Sequence, residues 1–393
     1  MIHILLAIIY AAFISLGLPD ALLGAAWPAI YGKLSVPVSY SGVIFMIIAG
    51  GTIVSSLQSD RLTKTFGAGK VTAFSVLLTA IALFGFSVSH SYIVLCLWAI
   101  PYGLGAGSVD AALNNYVALH YASRHMSWLH CMWGIGASLG PYIMGYALTG
   151  GLSWNSGYRY IAILQIGLTA VLFFSLPLWC GQTKTASKTG AGDTKADPIP
   201  LRHVVSIPGA KEIMITFFCY CAVEQTANLW ASSYLVLHQE VSAETAAGFA
   251  SLFFVGITAG RFLSGFLTLL LNDTQMIRLG QGLIAVGIIT LLLPFGTITS
   301  LAGLLLIGLG CAPVYPSIIH ATPANFGEDK SQAMIGVQMA SAYAGTCLMP
   351  PVFGLVANHL GISLLPFYLM VILIVMVFMH ERMFFKIQQP NKI

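Results

Sequence analysis

GGTIVSSLQSDRLTK, residues 50–64, lies over VGITAGRFLSGFLTL, residues 255–269, when the chain is slid along itself by 205 positions. Gly51 then meets Gly256, Ser59 meets Ser264, Leu62 meets Leu267 and Thr63 meets Thr268. In the same register the Gly-Leu-Gly at 103–105 meets the one at 308–310, and with four more residues of offset Pro141 and Gly145 meet Pro350 and Gly354. Each match is weak alone, since Gly, Leu and Ser are abundant here. A near-constant offset held across several segments marks an internal duplication.

Composition shows what is duplicated. Of 393 residues, 57% are hydrophobic and 8% charged, against about 25% charged in an ordinary soluble domain. The apolar residues come in blocks near the roughly 20 residues needed to cross about 30 Å of hydrocarbon. Broken at charges and Pro/Gly clusters, there are twelve: 4–31, 40–59, 70–89, 93–120, 127–150, 158–180, 212–237, 245–269, 277–297, 299–320, 332–357 and 361–380. In lipid such blocks must be helices, which satisfy their own backbone hydrogen bonds. The first follows only Met1, Ile2 and His3, without a basic region or small-residue cleavage site, and is expected to stay in the protein instead of leaving as a signal peptide.

Charge sets the expected orientation. With the amino terminus inside, fourteen of the seventeen Lys and Arg fall in cytoplasmic segments, Lys33 and Arg159 fall in outer loops, and Arg261 lies within the eighth span. That asymmetry predicts cytoplasmic termini in the cytoplasmic (inner) membrane and attributes the net charge of +4 to topology, with no nucleic-acid partner. The seven cysteines sit in or beside apolar blocks without C-x-x-C spacing, so they read as packing residues with no metal site, cofactor or disulfide framework. TKTASKTGAGDTKADPIP, residues 183–200, reads as a flexible cytoplasmic loop dividing six spans from six.

A duplicated six-helix unit joined by such a loop resembles the major facilitator superfamily over essentially the whole chain, giving an all-α membrane protein with bundles at 1–181 and 211–393 and a linker at 182–210. SDRLTKTFGAGK (59–70) is similar to that family's gating loop. Asp60 and Arg61 match its signature, while Ser56 stands where its Gly should be and the later basic residues are shifted to Lys64 and Lys70.

Three acids lie deep in the spans, where a charge costs a few kcal/mol or more and normally faces a bundle interior or wet cavity. Asp20 is about 13 residues from Lys33, Asp110 about 14 from Arg124 and Glu224 about 13 from Lys211, so all three are expected near the midplane at 1.5 Å per residue. Asp20 and Glu224 are equivalent under an offset of 204, and repeat-built transporters bind substrate and ion at that depth. Helical spacing gathers Asn114 with Asp110 and Asn228 with Glu224, with Asn115, Gln225 and Trp230 alongside and Trp27 on the stripe of Asp20. Amides and indoles suit a neutral, hydroxyl-rich molecule such as a sugar. His130 and Trp133, Gln165, Tyr315 and Gln338 are further cavity candidates; each amide or imidazole reads equally as helix-packing glue. Arg261, aligned with Ser56, is expected to pair with an acid or backbone carbonyls near the inner gate. The many glycines, with Pro19, Pro28, Pro141, Pro316 and Pro350, allow close packing and bends.

Within the superfamily, acids in spans 1 and 4 and the segment LNNYVALHYASRHMSWLHCMWGIGASLGP (113–141) are similar to the fucose and glucose symporter group, whose fucose members carry Glu in span 4 where this chain has Asp110. That resemblance implies sugar uptake by alternating access coupled to a proton, or to sodium, by a monomer in the lipid bilayer. Asp110 would carry the proton, Asp20 would share or tune it, and the Asn and Trp residues would hold the sugar; Glu224, an acid beyond that pattern, is a further proton-coupling candidate from its depth. The rival reading is a proton-coupled exporter, because Gly136, Gly140, Pro141 and Gly145 resemble the antiporter motif of span 5. An enzyme is disfavoured by the lack of H-E-x-x-H or G-x-S-x-G, and a channel would need neither a duplicated half nor acids at one depth.

Overall fold

Pro19 decides the shape of the first apolar block. The computed structural model describes residues 2–37, 40–186, 198–241 and 243–388, and in it the block expected as one helix is two: α1 (Ile2–Asp20) and α2 (Leu22–Leu34), with Ala21 between them. Proline has no N–H to give the carbonyl four residues back. The helix therefore opens just past it.

The other eleven expected blocks are each one helix: α3 (Ser41–Phe66), α4 (Ala68–Ser87), α5 (Tyr92–His120), α6 (Ser123–Thr149), α7 (Trp154–Ala186), α9 (Ala210–Gln239), α10 (Ala243–Leu267), α11 (Asp273–Leu291), α12 (Thr297–Phe326), α13 (Glu328–Leu360) and α14 (Leu365–Gln388). A short helix, α8 (Leu201–Ser206), lies in the stretch expected as linker; residues 187–197 of that linker lie outside the described residues. Among the described residues, nine helical stretches are long and apolar enough to cross a membrane, the joined α1–α2 included. With α6, α9 and α10 they make the twelve spans. Large apolar side chains point outward from them, Phe174 at 86% and Ile93 at 69% exposure among them, as suits helices solvated by lipid tails.

Lipid gives no hydrophobic drive for helix to meet helix, so contact depends on small residues that let backbones approach. A Cβ on Gly103 of α5 would run into the Ile48 carbonyl of α3, and one on Gly308 of α12 would run into the Phe253 carbonyl of α10. Those pairs are 205 residues apart at both ends. Likewise Gly136 of α6 lies against the Ile14 carbonyl and Gly345 of α13 against the Phe218 carbonyl, at offsets of 209 and 204. The register read from sequence is thus repeated in the packing of both halves.

The chain divides into two compact units, Met1–Tyr116 with Leu129–Ile199, and Val117–Trp128 with Pro200–Ile393. The boundary differs from the sequence expectation at the turn between α5 and α6, which groups with the second unit. Side chains explain why. Asn272 caps α11, accepting from Gln275 N at 2.9 Å, which sets Asp273 in the first turn. Ser123 Oγ donates to Asp273 Oδ1 at 2.5 Å, His320 Nδ1 lies 2.6 Å from Asp273 Oδ2, and His320 Nε2 lies 3.2 Å from the Tyr121 carbonyl. Trp128 meets Phe266 edge-on at 5.7 Å. Elsewhere in this unit Arg278 grips Glu381 with two bonds of 2.7 Å, and Lys386 reaches Glu212 at 2.5 Å, tying α14 to α11 and α9.

Candidate functional site

In the first unit, the break after Pro19 leaves Asp20 at the end of α1 with its carboxylate exposed. Two donors hold it: Trp133 Nε1 of α6 at 2.7 Å to Oδ2, and Tyr102 Oη of α5 at 3.3 Å to Oδ1. Both come from helices of the same unit, so the acid lies where α1, α5 and α6 meet. Glycine makes the reach possible, since a Cβ on Gly17 would strike the Trp133 backbone.

Asp110 is half-buried on α5. Asn114, one turn on, donates Nδ2 to Asp110 Oδ1 at 2.8 Å, and its Oδ1 lies 3.1 Å from His130 Nε2. His130 in turn meets Phe13 edge-on at 5.5 Å. A hydrogen-bonded chain therefore runs from Asp110 through Asn114 to His130, joining α5 to α6 and ending against α1.

Several expected contact residues are placed otherwise. Asn114 has no exposed surface and both ends of its amide engaged, bridging Asp110 and His130. Asn115 and His130 are buried at 6% and 5% exposure. Trp27, on the far side of the break from Asp20, is packed into an apolar cluster with Leu22, Ile30 and Trp154. Gln165 is 1% exposed and donates to the Ser15 carbonyl at 2.6 Å.

In the second unit, Glu224 is not matched to Asp20 in its surroundings. It is buried on α9, and Arg261 Nη2 of α10 lies 3.6 Å from its Oε1. Arg261 thus pairs with an acid, as expected, and that acid is Glu224. Gln225 and Asn228 are half-buried on α9. Trp230 donates to the Pro350 carbonyl at 3.0 Å and packs on Phe353; Tyr315 donates to Met339 Sδ at 3.0 Å. Gln338 is fully buried, its Oε1 accepting from Thr322 at 3.1 Å, which makes it a packing residue. Of the gating loop, Asp60 is buried, bound by Lys64 at 3.1 Å and by the Ile199 N–H at 3.0 Å, while Arg61 is exposed.

Sequence reasoning missed Tyr102. It lies eight residues before Asp110, about 80° round the helix from it, and its partner Asp20 is on another helix, so spacing within α5 did not mark it. Thr79 beside Gln165 and the pair Ser55 and Ser108, hydrogen-bonded between α3 and α5, carried no such signal either.

The family model described as Major Facilitator Superfamily matches residues 9–337 and again 240–392. The chain belongs to the major facilitator superfamily. Among its relatives are an uncharacterized transporter, y4wD, of Sinorhizobium fredii, 24% identical over 84% of this chain and 85% of that one, and the glucose/mannose transporter GlcP of Bacillus subtilis, 21% identical over 78% and 77%. Among solved structures, the Escherichia coli fucose:proton symporter FucP superposes with a TM-score of 0.73 at 16% identity, covering 96% of this chain and 98% of that one. A major facilitator protein of this kind is a multi-pass membrane transporter and not an enzyme.

Proposed function

We propose that this protein is a proton-coupled symporter of a small polar solute of the sugar class, working by alternating access in the cytoplasmic membrane with both termini inside. The observation that carries the reading is Asp20: an exposed carboxylate at a broken helix, held between an indole and a phenol. Indole faces stack on sugar rings and carboxylates accept from hydroxyls. The names of GlcP and FucP support the same class.

Asp110 is the proton carrier in this reading. A carboxylate holds its proton when dry and yields it when wet, so a site opening alternately to each side loads and unloads. Asn114 fixes the orientation of Asp110, and His130 fixes Asn114. Glu224, its charge balanced by Arg261, is assigned to holding α9 on α10 and not to carrying the proton. Gln225 and Asn228 remain as solute ligands of the second unit.

The exporter reading rested on the motif at 136–145. Gly136 and Gly140 of that motif lie against the Ile14 and Leu18 carbonyls of α1, and whether a proton gradient of reversed sign fills or empties loaded vesicles decides between import and export.

In proteoliposomes, Asp110→Asn is expected to abolish uphill accumulation driven by a proton gradient while leaving solute exchange intact. Undiminished uphill uptake by that variant overturns the assignment. A thermal-shift screen against sugars, polyols, amino acids and lipophilic cations identifies the solute, since a ligand that binds only the folded state raises its stability; a response confined to lipophilic cations would refute the sugar class.

A further inference from the structure

Pro19 leaves one backbone carbonyl without its helical donor: that of Ser15, four residues back. The structure fills it from another helix. Gln165 Nε2 of α7 donates to the Ser15 carbonyl at 2.6 Å, shorter than the bonds of its neighbourhood, and Gln165 Oε1 lies 3.3 Å from Thr79 Oγ1 of α4. Both side chains are buried, at 1% and 3% exposure. The amide orientation follows from chemistry, because a carbonyl can only accept. Immediately beyond, α1 ends at Asp20 and α2 begins at Leu22.

We infer that Gln165 is a positioning residue for Asp20: it replaces the backbone bond that Pro19 removes, and so holds open the turn that presents the Asp20 carboxylate to Trp133 and Tyr102. In a membrane interior no water stands ready to satisfy a bare carbonyl. Without Gln165, the segment around Ser15 and Pro19 must shift to find another donor, and Asp20, one residue on, moves with it. The transport consequence rests on the proposed role of Asp20 in the solute site; the local structural consequence does not.

Three variants separate these. Gln165→Met keeps the bulk of the side chain and removes the donor. Pro19→Ala restores a backbone N–H that can reach Ser15, and the third variant combines the two. Purified Gln165→Met is expected to exchange amide hydrogens over residues 15–25 about tenfold faster than the parent and to unfold about 2–4 °C lower. Pro19→Ala alone is expected to stay close to the parent. In Pro19→Ala/Gln165→Met the new N–H takes the Ser15 carbonyl, so stability and exchange protection return. Proton-driven uptake of radiolabelled D-glucose does not return, because a closed helix turns Asp20 away from Trp133. A merely space-filling Gln165 would give no rescue of stability by the second substitution.

Unchanged exchange in Gln165→Met, or a double variant as unstable as Gln165→Met, overturns the inference. Full uptake by the double variant overturns the positioning of Asp20. Should Gln165→Met fail to fold, the double variant decides alone, since it is expected to fold. If the parent itself takes up no D-glucose, that counts against the proposed solute, and stability and exchange still decide what Gln165 does.

Discussion

Asp20 and Glu224 occupy equivalent positions in the two repeats, yet one is exposed between Trp133 and Tyr102 and the other is buried against Arg261. The difference lies in what each neighbour offers: neutral donors leave a carboxylate free to meet a solute, whereas a guanidinium balances its charge. Removing one member of a buried ion pair leaves the other unpaired, at about 3–5 kcal/mol. Glu224→Gln is therefore expected to lower the thermal unfolding temperature of the purified transporter sharply. Glu224→Gln/Arg261→Gln, with no stranded charge, is expected to recover much of the loss, and a double variant worse than the single would exclude the pairing. Such pairings were only half legible in the sequence. The spacing of Asp110 and Asn114 put both on one face, but that His130 would occupy that face from α6 depends on how two helices rotate against each other.

Among the elements, the spans themselves were the most legible feature, because a run of apolar residues long enough to cross lipid has no alternative to helix. The break at Asp20 was not read, although Pro19 was noted, since proline inside a membrane helix bends as often as it breaks and the outcome depends on who takes the freed carbonyl. Helix contact was legible in the glycine register. Gly103→Ala and Gly308→Ala each put a methyl group into a facing carbonyl, on Ile48 and Phe253 respectively, and overpacking of this kind costs about 1–3 kcal/mol. Both are expected to lower thermal stability by similar amounts. Gly24→Ala and Gly50→Ala, where nothing stands within 4 Å of the new atom, are the controls and are expected to be neutral. Equal effects at all four positions would mean that helix propensity, not close approach, is being measured.

For the whole molecule, the duplicated six-helix plan and its depth of burial follow from the sequence, but the membership of residues 117–128 does not. They connect α5 to α6 and yet pack with the second unit through Asp273 and His320. Asp273→Ala removes the acceptor shared by Ser123 and His320. Faster deuterium uptake over residues 117–128, with α5 from Tyr92 to Tyr116 unchanged, is the expected result; unchanged uptake over 117–128 would show that aromatic packing at Trp128 holds the segment instead. What the sequence by itself determined is what hydrocarbon imposes locally: twelve helices, two like halves, and acids too costly to bury without a use. What only the tertiary structure decided is which acid is exposed and which is paired, and which amides are buried against another helix and which stay half-buried. Those outcomes depend on partners sixteen or more residues away in the chain, whose approach is set by packing and not by any pattern within one span.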